Sequence, residues 1–446
     1  MKLYKFTILA VLSVFIVFSC AKNDDLITRP AGDTGDADFS TYVALGNSLT
    51  AGVQAGNIMQ EFQMNSYPNL IARQAGVSSF EQPLIGYPGL GTGLMELTAV
   101  SPLTIAISDP TGTPLNLTLA RPYNNLGIPG ITSYDLFNAF NATTNFSYTY
   151  TGSGENPLID LILRNTSADP AVALTAVEAA IALQPTFITI WIGANDVLGA
   201  AVYGSITKLI PSEMLQLNLA GTIATIQAAL PNTKIVLANI PDVGAIPYVN
   251  TLEPYIPDPT TGASSPYLYL GVSANDKVLL SAIAYAEAGY GIPAALGGLD
   301  LPLPDAAFLT SAELSAISSH VNTLNSIIST IAAQYDIPVV DANGIFSDID
   351  SDGLYYAGQE LTTDFITGGI FSLDGVHPTS KGYGIIANEF IKTINAEFNA
   401  SIPLVDLNAL PGVPLPSIGK ISNEKLNLYE IIRNNKDVFS NIKKLF

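Results

Sequence analysis

Thr186-Phe187-Ile188-Thr189-Ile190-Trp191-Ile192 is a nearly continuous apolar run, and Gly193-Ala194-Asn195-Asp196 closes it. A strand with one wet face alternates polar and apolar residues; an unbroken apolar strand is covered on both faces. Residues 171–183, just upstream, read as a helix, and the unit then repeats. A helix over 212–230 precedes an apolar strand over 234–240, and a helix over 311–334 precedes Ile337-Pro338-Val339-Val340-Asp341. Earlier strands are expected at 39–45, ending in Gly46-Asn47-Ser48, and at 123–126, running into Gly127-Ile128-Pro129-Gly130. Between them Ser66-Tyr67-Pro68 opens a short helix, with proline near its first turn. A last helix, about 380–398, places Ile385, Ile386, Ile391, Ile394 and Phe398 at helical spacing. Helices alternating with doubly covered strands define the α/β class with a central parallel sheet.

Composition agrees. The chain has 446 residues, 48 % of them apolar and only 13 % charged. That excludes a disordered chain and supplies a sizeable core. The net charge of −20 excludes a nucleic-acid partner, which needs a positive footprint. Residues 420–446 depart from the acidic body, with Lys420, Lys425, Arg433, Lys436, Lys443 and Lys444 against three acids. Cys20 is the single cysteine, so an intramolecular disulfide and a cysteine-ligated metal cluster are excluded. No cofactor and no metal is expected.

Residues 1–20 form a leader. Lys2 and Lys5 precede an apolar run from Phe6 to Phe18, too short for a bilayer span and suited to a signal-peptide core. Val17-Phe18-Ser19-Cys20 resembles the bacterial lipobox, with Phe18 where a smaller residue is usual, and Ala21-Lys22-Asn23-Asp24-Asp25 resembles the acidic export tag of Bacteroidetes-like lipoproteins. That resemblance implies lipidation of Cys20 and a cell-envelope location, anchored in the outer membrane. Polar, Gly/Asp-rich residues 21–38 read as a flexible tether. The main domain then spans 39–400, interrupted by a low-charge insertion at about 242–310 that is rich in Tyr, Pro, Ala and Leu. This insertion serves either as a lid or apolar wall over the site or as packed decoration. Residues 401–446 form a C-terminal extension, its Pro/Leu-rich start wrapping the domain surface.

Four short segments carry chemistry. Ser48 directly follows a buried strand, where it is either a nucleophile or an ordinary helix cap. Gly130 follows a second strand and lets a backbone N–H approach a ligand closely. Asn195 follows a third, where its amide can donate to a developing oxyanion or close an Asx turn. His377 is one of two histidines; the other, His320, falls within the 311–334 helix. Asp374, three residues before His377, can accept an imidazole N–H and fix the tautomer. Each feature alone has a structural explanation. Together, placed at strand ends, they supply a nucleophile, a base with its orienter, and oxyanion donors, which is what acyl transfer requires.

Gly46-Asn47-Ser48-Leu49, Gly130, Gly193-Ala194-Asn195-Asp196 and Asp374-Gly375-Val376-His377-Pro378 resemble, in order, the four blocks of the SGNH, or GDSL-like, hydrolases. The resemblance implies a flavodoxin-like three-layer α/β/α sandwich with a central parallel sheet of about five strands and long loop insertions. It implies a serine ester hydrolase of lipase, acylhydrolase or esterase type. Ser48 would be the nucleophile, His377 the base and Asp374 its orienter, with Ser48, Gly130 and Asn195 forming the oxyanion hole. Gly127 is the poorer donor, because Thr132-Ser133 supply the small polar residues usual after the donor glycine. Asn47 stands where the family usually has Asp, which keeps local hydrogen bonding and removes a charge. Activity is expected to rise from about pH 5 to 8 as the imidazole loses its proton. The substrate is an ester, inclined to lipid or medium-chain acyl groups by the apolar insertion. The alternatives are a carbohydrate acetyl esterase, and a non-catalytic binding lipoprotein on the same scaffold. Asp348-Ile349-Asp350-Ser351-Asp352-Gly353 matches the first half of a calcium loop, although Glu360 falls one residue late for its closing ligand; it reads better as a solvated acidic turn.

Overall fold

The computed structural model describes residues 32–100, 103–257 and 264–413. The leader with Cys20 and the basic tail lie outside these residues. Five short strands form the central sheet: β1 (Tyr42–Gly46), β2 (Asn125–Gly127), β3 (Phe187–Trp191), β4 (Lys234–Ala238) and β5 (Val339–Val340). All neighbours are parallel, in the order β5-β4-β3-β1-β2. This is the flavodoxin-like order expected above. The chain starts in the middle, moves to the β2 edge, then returns past β1 to build the other side. The topological switch therefore falls between β1 and β3, where the crevice of such a sheet opens.

Helices cover both faces. They are α1 (Ser48–Ala51), α2 (Tyr67–Gln74), α3 (Ser133–Asn138), α4 (Ala176–Ala182), α5 (Asn195–Tyr203), α6 (Ser212–Ala229), α7 (Ser311–Gln334), α8 (Ala342–Asp352) and α9 (Ser380–Glu397). Helices α3, α4 and α7 pack on α6, while α2 and α9 pack on each other. Alternation along β3 sorts its residues between these layers. Phe187 meets Phe398 just past the end of α9, with ring centroids 5.7 Å apart, and Trp191 meets Tyr67 of α2 at 5.6 Å. Ile188 and Ile190 point to the opposite face. All five β3 residues are buried, which is why the strand reads as nearly continuous apolar sequence.

Element boundaries differ from the sequence expectation where local chemistry overrides periodicity. The helix expected from residue 171 starts at Ala176, because Thr175 accepts the Glu178 N–H while the Glu178 carboxylate takes the Thr175 N–H. This capping box is visible in Thr175-Ala176-Val177-Glu178 when it is read as S/T-x-x-E from Thr175. The acidic segment 348–352 is not a turn or loop. It is the last part of α8, whose Ala342, Phe346 and Ile349 are buried at helical spacing. A helix points alternate residues in different directions, so the three aspartates do not converge as calcium-loop ligands. Among the described residues, no group of three or more His, Cys, Asp or Glu side chains is placed to hold a metal.

The tether expected over 21–38 does not extend to its C-terminal part. Asp33 bridges Ser401, the Asp36 N–H donates to the Phe398 carbonyl at 2.7 Å, and Ala37 is fully buried. Residues 401–413 lie along α9, with the Asn388 amide exchanging two hydrogen bonds with Val405. The insertion contributes to two cores. Ile256, Tyr269, Val278, Leu303 and Phe308 belong to a small core of its own, while Leu279, Leu280, Ile283 and Leu309 join the main core. The first turn of the insertion packs on the candidate site instead. Among the described residues, no helix is long and apolar enough to cross a membrane.

Candidate active site

Ser48, Gly130 and Asn195 follow the adjacent strands β1, β2 and β3 by two, three and four residues. Adjacent strands stand about 4.8 Å apart, so the three loops leave the sheet edge together. Tight contacts fix the first of them. Asn47 caps α1, its Oδ1 accepting the Leu49 N–H at 3.0 Å, so the amide performs the local bonding expected of it without burying a charge. A Cβ at Gly127 would lie 2.4 Å from the Ala51 nitrogen, which shows that this glycine exists to let α1 sit against β2.

His377 arrives differently. The sequence reading placed it just after a sheet strand, but β5 is followed by α8, a two-stranded ribbon over 354–361, and then a loop. An isolated bridge between Phe371 and Pro378 closes that loop, and the Ser372 N–H donates to the His377 carbonyl at 2.8 Å. Thr379 then caps α9.

The side chains meet as a relay. Ser48 Oγ lies 3.0 Å from His377 Nε2, and His377 Nδ1 lies 2.8 Å from Asp374 Oδ2. All three residues are buried. Asp374 is held by more than the imidazole. Its Oδ1 accepts the N–H groups of Val376 at 2.9 Å and His377 at 2.8 Å, and the Ser372 hydroxyl at 3.1 Å; its Oδ2 accepts the Gly56 N–H at 2.9 Å. Burial by itself would raise this carboxyl, but the facing imidazole and the converging donors hold it below the ordinary aspartate value. The sequence alone gives little sign of the supports Ser372 and Gly56. Ser372 was signalled only by its position two residues before Asp374; Gly56 carries no local signal, because it comes from the far side of α1.

The Asn195 amide donates to the Ile131 carbonyl at 2.8 Å, and Asn195 shares one cleft with Ser48 and His377. Gly130 does not line that cleft. It sits next to Ile131 at φ +80°, a conformation natural to glycine. Among the described residues, neither the Ser48 N–H nor the Gly130 N–H donates to a protein acceptor. His320 stays apart on α7, where burial lowers its pKa.

The cleft opens to solvent beside Ser48 and His377. Trp191, Leu198, Val243, Ile246, Phe346 and Phe371 give it an apolar wall around the three polar groups. Residues 241–246 belong to the start of the insertion. The Tyr248 N–H donates to the Gly375 carbonyl at 2.9 Å, joining the insertion to the turn that carries Asp374 and His377. The base of the insertion thus forms part of the cleft wall.

A buried serine–imidazole–carboxylate relay at the carboxyl edge of a doubly wound sheet defines a serine hydrolase of the α/β/α type. The sequence model of the GDSL-like Lipase/Acylhydrolase family matches residues 42–390, well over half of the chain. The chain belongs to that family and is a carboxylic ester hydrolase. Solved structures with which it aligns include an acetylxylan esterase from Geobacillus stearothermophilus, at 14 % identity over 82 % of this chain and 98 % of that one, with a TM-score of 0.36. A lipase/acylhydrolase from Enterococcus faecalis aligns at 13 % identity over 82 % and 98 %, with a TM-score of 0.32. An alpha/beta hydrolase enzyme from the Lake Arreo metagenome aligns at 13 % identity over 80 % and 96 %, with a TM-score of 0.35. No curated protein matches the chain in sequence. The assignment rests on the family match.

Proposed function

We propose that Ser48 is the nucleophile of this esterase, with His377 as general base, Asp374 as its orienter, and the Ser48 N–H, the Gly130 N–H and the Asn195 amide as oxyanion donors. The continuous 3.0 Å and 2.8 Å contacts of the relay carry this reading. Ser48 Oγ attacks the ester carbonyl carbon as its proton passes to His377 Nε2. The carbonyl oxygen gains the negative charge and meets the three donors. When the bond to the alcohol breaks, Nε2 returns the proton to the departing oxygen and an acyl-Ser48 remains. Water then attacks the acyl carbon, gives its proton to Nε2, and releases the acid as Ser48 recovers its hydroxyl proton. Asp374 stays ionised throughout and stabilises the transient imidazolium.

The apolar cleft favours an ester with a hydrocarbon acyl group over a bare acetyl ester, because only the former removes enough apolar surface from water to use that wall. Lipidation of Cys20, with attachment to the outer membrane, would keep the enzyme beside such substrates.

The test is hydrolysis of p-nitrophenyl esters from acetate to palmitate by residues 21–446. Ser48→Ala abolishes activity and labelling by a fluorophosphonate, and Asn195→Ala lowers kcat about 10²–10³-fold. The chain-length optimum lies above acetate. An active Ser48→Ala protein refutes the nucleophile, and an acetate optimum refutes the acyl-chain reading in favour of an acetyl esterase.

A further inference from the structure

Asp196 is fully buried, and no Lys, Arg or His pairs with it among the described residues. Its Oδ2 accepts the Ser133 N–H at 2.9 Å, and its Oδ1 accepts the Ser133 hydroxyl. Burial raises its carboxyl from 3.8 to about 7; the two Ser133 bonds oppose the rise, and Asp135 adds to it. A carboxylate kept in the interior without a cation costs stability that an apolar side chain would not. The Ser48–His377–Asp374 relay makes no use of it.

What Asp196 grips is informative. Ser133 begins α3, directly after the loop that presents Gly130. One residue earlier, at the first position of α5, Asn195 grips Ile131 of the same loop at 2.8 Å. Consecutive residues 195 and 196 therefore hold alternate residues 131 and 133. The far side of the loop is anchored separately: Asp135 accepts the Thr132 N–H at 2.7 Å and the Thr132 hydroxyl at 2.9 Å, and also binds the Phe146 N–H.

We propose that Asp196 is a positioning residue for catalysis, whose bonds to Ser133 fix the Gly130 N–H against the Asn195 amide so that both donors address one oxyanion. This rests on the assignment of those two donors above. The two stand on different strands, so nothing local sets their separation. Donors must lie about 2.7–3.1 Å from the oxyanion, and a displacement of ~1 Å costs on the order of 10² in rate. Two clamps, the Asn195 amide and the Asp196 carboxyl, remove that slack.

The experiment measures kcat and KM on one p-nitrophenyl ester for Asp196→Ala, Asp196→Asn, Ser133→Ala, Asn195→Ala and the Asn195→Ala/Asp196→Ala pair. Rates are normalised to the fraction of Ser48 that reacts to completion with a fluorophosphonate. Asp196→Ala lowers kcat about 10- to 100-fold with KM within about twofold, as expected for an interaction realised in the transition state. Asp196→Asn, which can keep both bonds with the Ser133 hydroxyl now accepting, retains most of the activity. On the Asn195→Ala background the loss from Asp196→Ala shrinks, because residues that act as a unit are not additive. A wild-type kcat in Asp196→Ala overturns the proposal, as does full additivity or an Asp196→Asn protein as impaired as Asp196→Ala. If Asp196→Ala does not fold, Ser133→Ala decides: a several-fold lower kcat at unchanged KM supports the clamp, and an unchanged kcat overturns it. A normal Asn195→Ala enzyme would fell the oxyanion assignment itself, whereas a slow Asn195→Ala beside a normal Asp196→Ala would fell only the clamp.

Discussion

Ser372 shows how a single hydroxyl can tie two parts of the site together. It accepts the Ala55 N–H at 2.9 Å and donates to Asp374 Oδ1 at 3.1 Å, linking the segment after α1 to the carboxylate that orients His377. Ser372→Ala leaves the buried Ala55 N–H without its acceptor and Asp374 with one donor fewer. An unsatisfied buried group of this kind costs about 1–3 kcal/mol. The Asp374 carboxyl also moves, and its sign is defined. A carboxyl whose pKa is lower when folded stabilises the fold above its unfolded value near 3.8, and that stability is lost as pH falls through the folded value. Ser372→Ala brings the folded value closer to the unfolded one. Thermal melts across the acid range are expected to show reduced stability near neutrality and acid unfolding displaced to higher pH. Identical acid limbs in mutant and wild type would show that Ser372 does not support the carboxylate.

At the scale of elements, the contact between β2 and α1 matters most. Gly127 brings β2 against the first turn after β1, and a Cβ there would meet the Ala51 nitrogen at 2.4 Å, the Thr50 carbonyl carbon at 2.7 Å and Thr50 Cβ at 2.8 Å. Two of these are backbone atoms, which cannot rotate away. Gly127→Ala must therefore displace α1, and Ser48 with it. Overpacking of this kind costs about 1–3 kcal/mol. The expected outcome is a lower denaturant midpoint together with a kcat lowered about tenfold or more, since Ser48 leaves its 3.0 Å contact with His377. A mutant destabilised but fully active would mean that α1 moves without carrying Ser48. The same contact explains why Gly127, so close in sequence to Gly130, plays a packing part.

Across the whole molecule, α9 separates the two ends of the described chain. Asp33 pairs with Ser401 beside the C-terminal end of α9, while the Pro411 carbonyl accepts the Lys381 N–H at its first turn. About a dozen residues separate Cys20 from the first described one. With Cys20 lipidated, the domain would be held within a short reach of the membrane. On the proposal that Cys20 is lipidated, Cys20→Ala moves the protein from the membrane to the soluble fraction without changing kcat. Retention in the membrane fraction, with no lipid incorporated in the wild type, would refute the anchor.

The sequence by itself determined the class of fold and the chemistry. Nearly continuous apolar strands such as 187–191 are covered on both faces, and short strands separated by helices pair in parallel. The residues Ser48, Asp374, His377 and Asn195 were legible because each must be of one chemical type and each sits in a short local motif. Tertiary structure alone decided what holds them. Gly56 reaches Asp374 from a segment 318 residues away, and Asp196 reaches Ser133 from 63 residues away. Such partners are chosen by sheet order and loop packing, which bring distant backbone donors to one carboxylate. The helical state of 348–352 and the fixing of residues 32–38 were decided in the same way, because burial against neighbouring elements outweighed the local polarity that had marked both as loops.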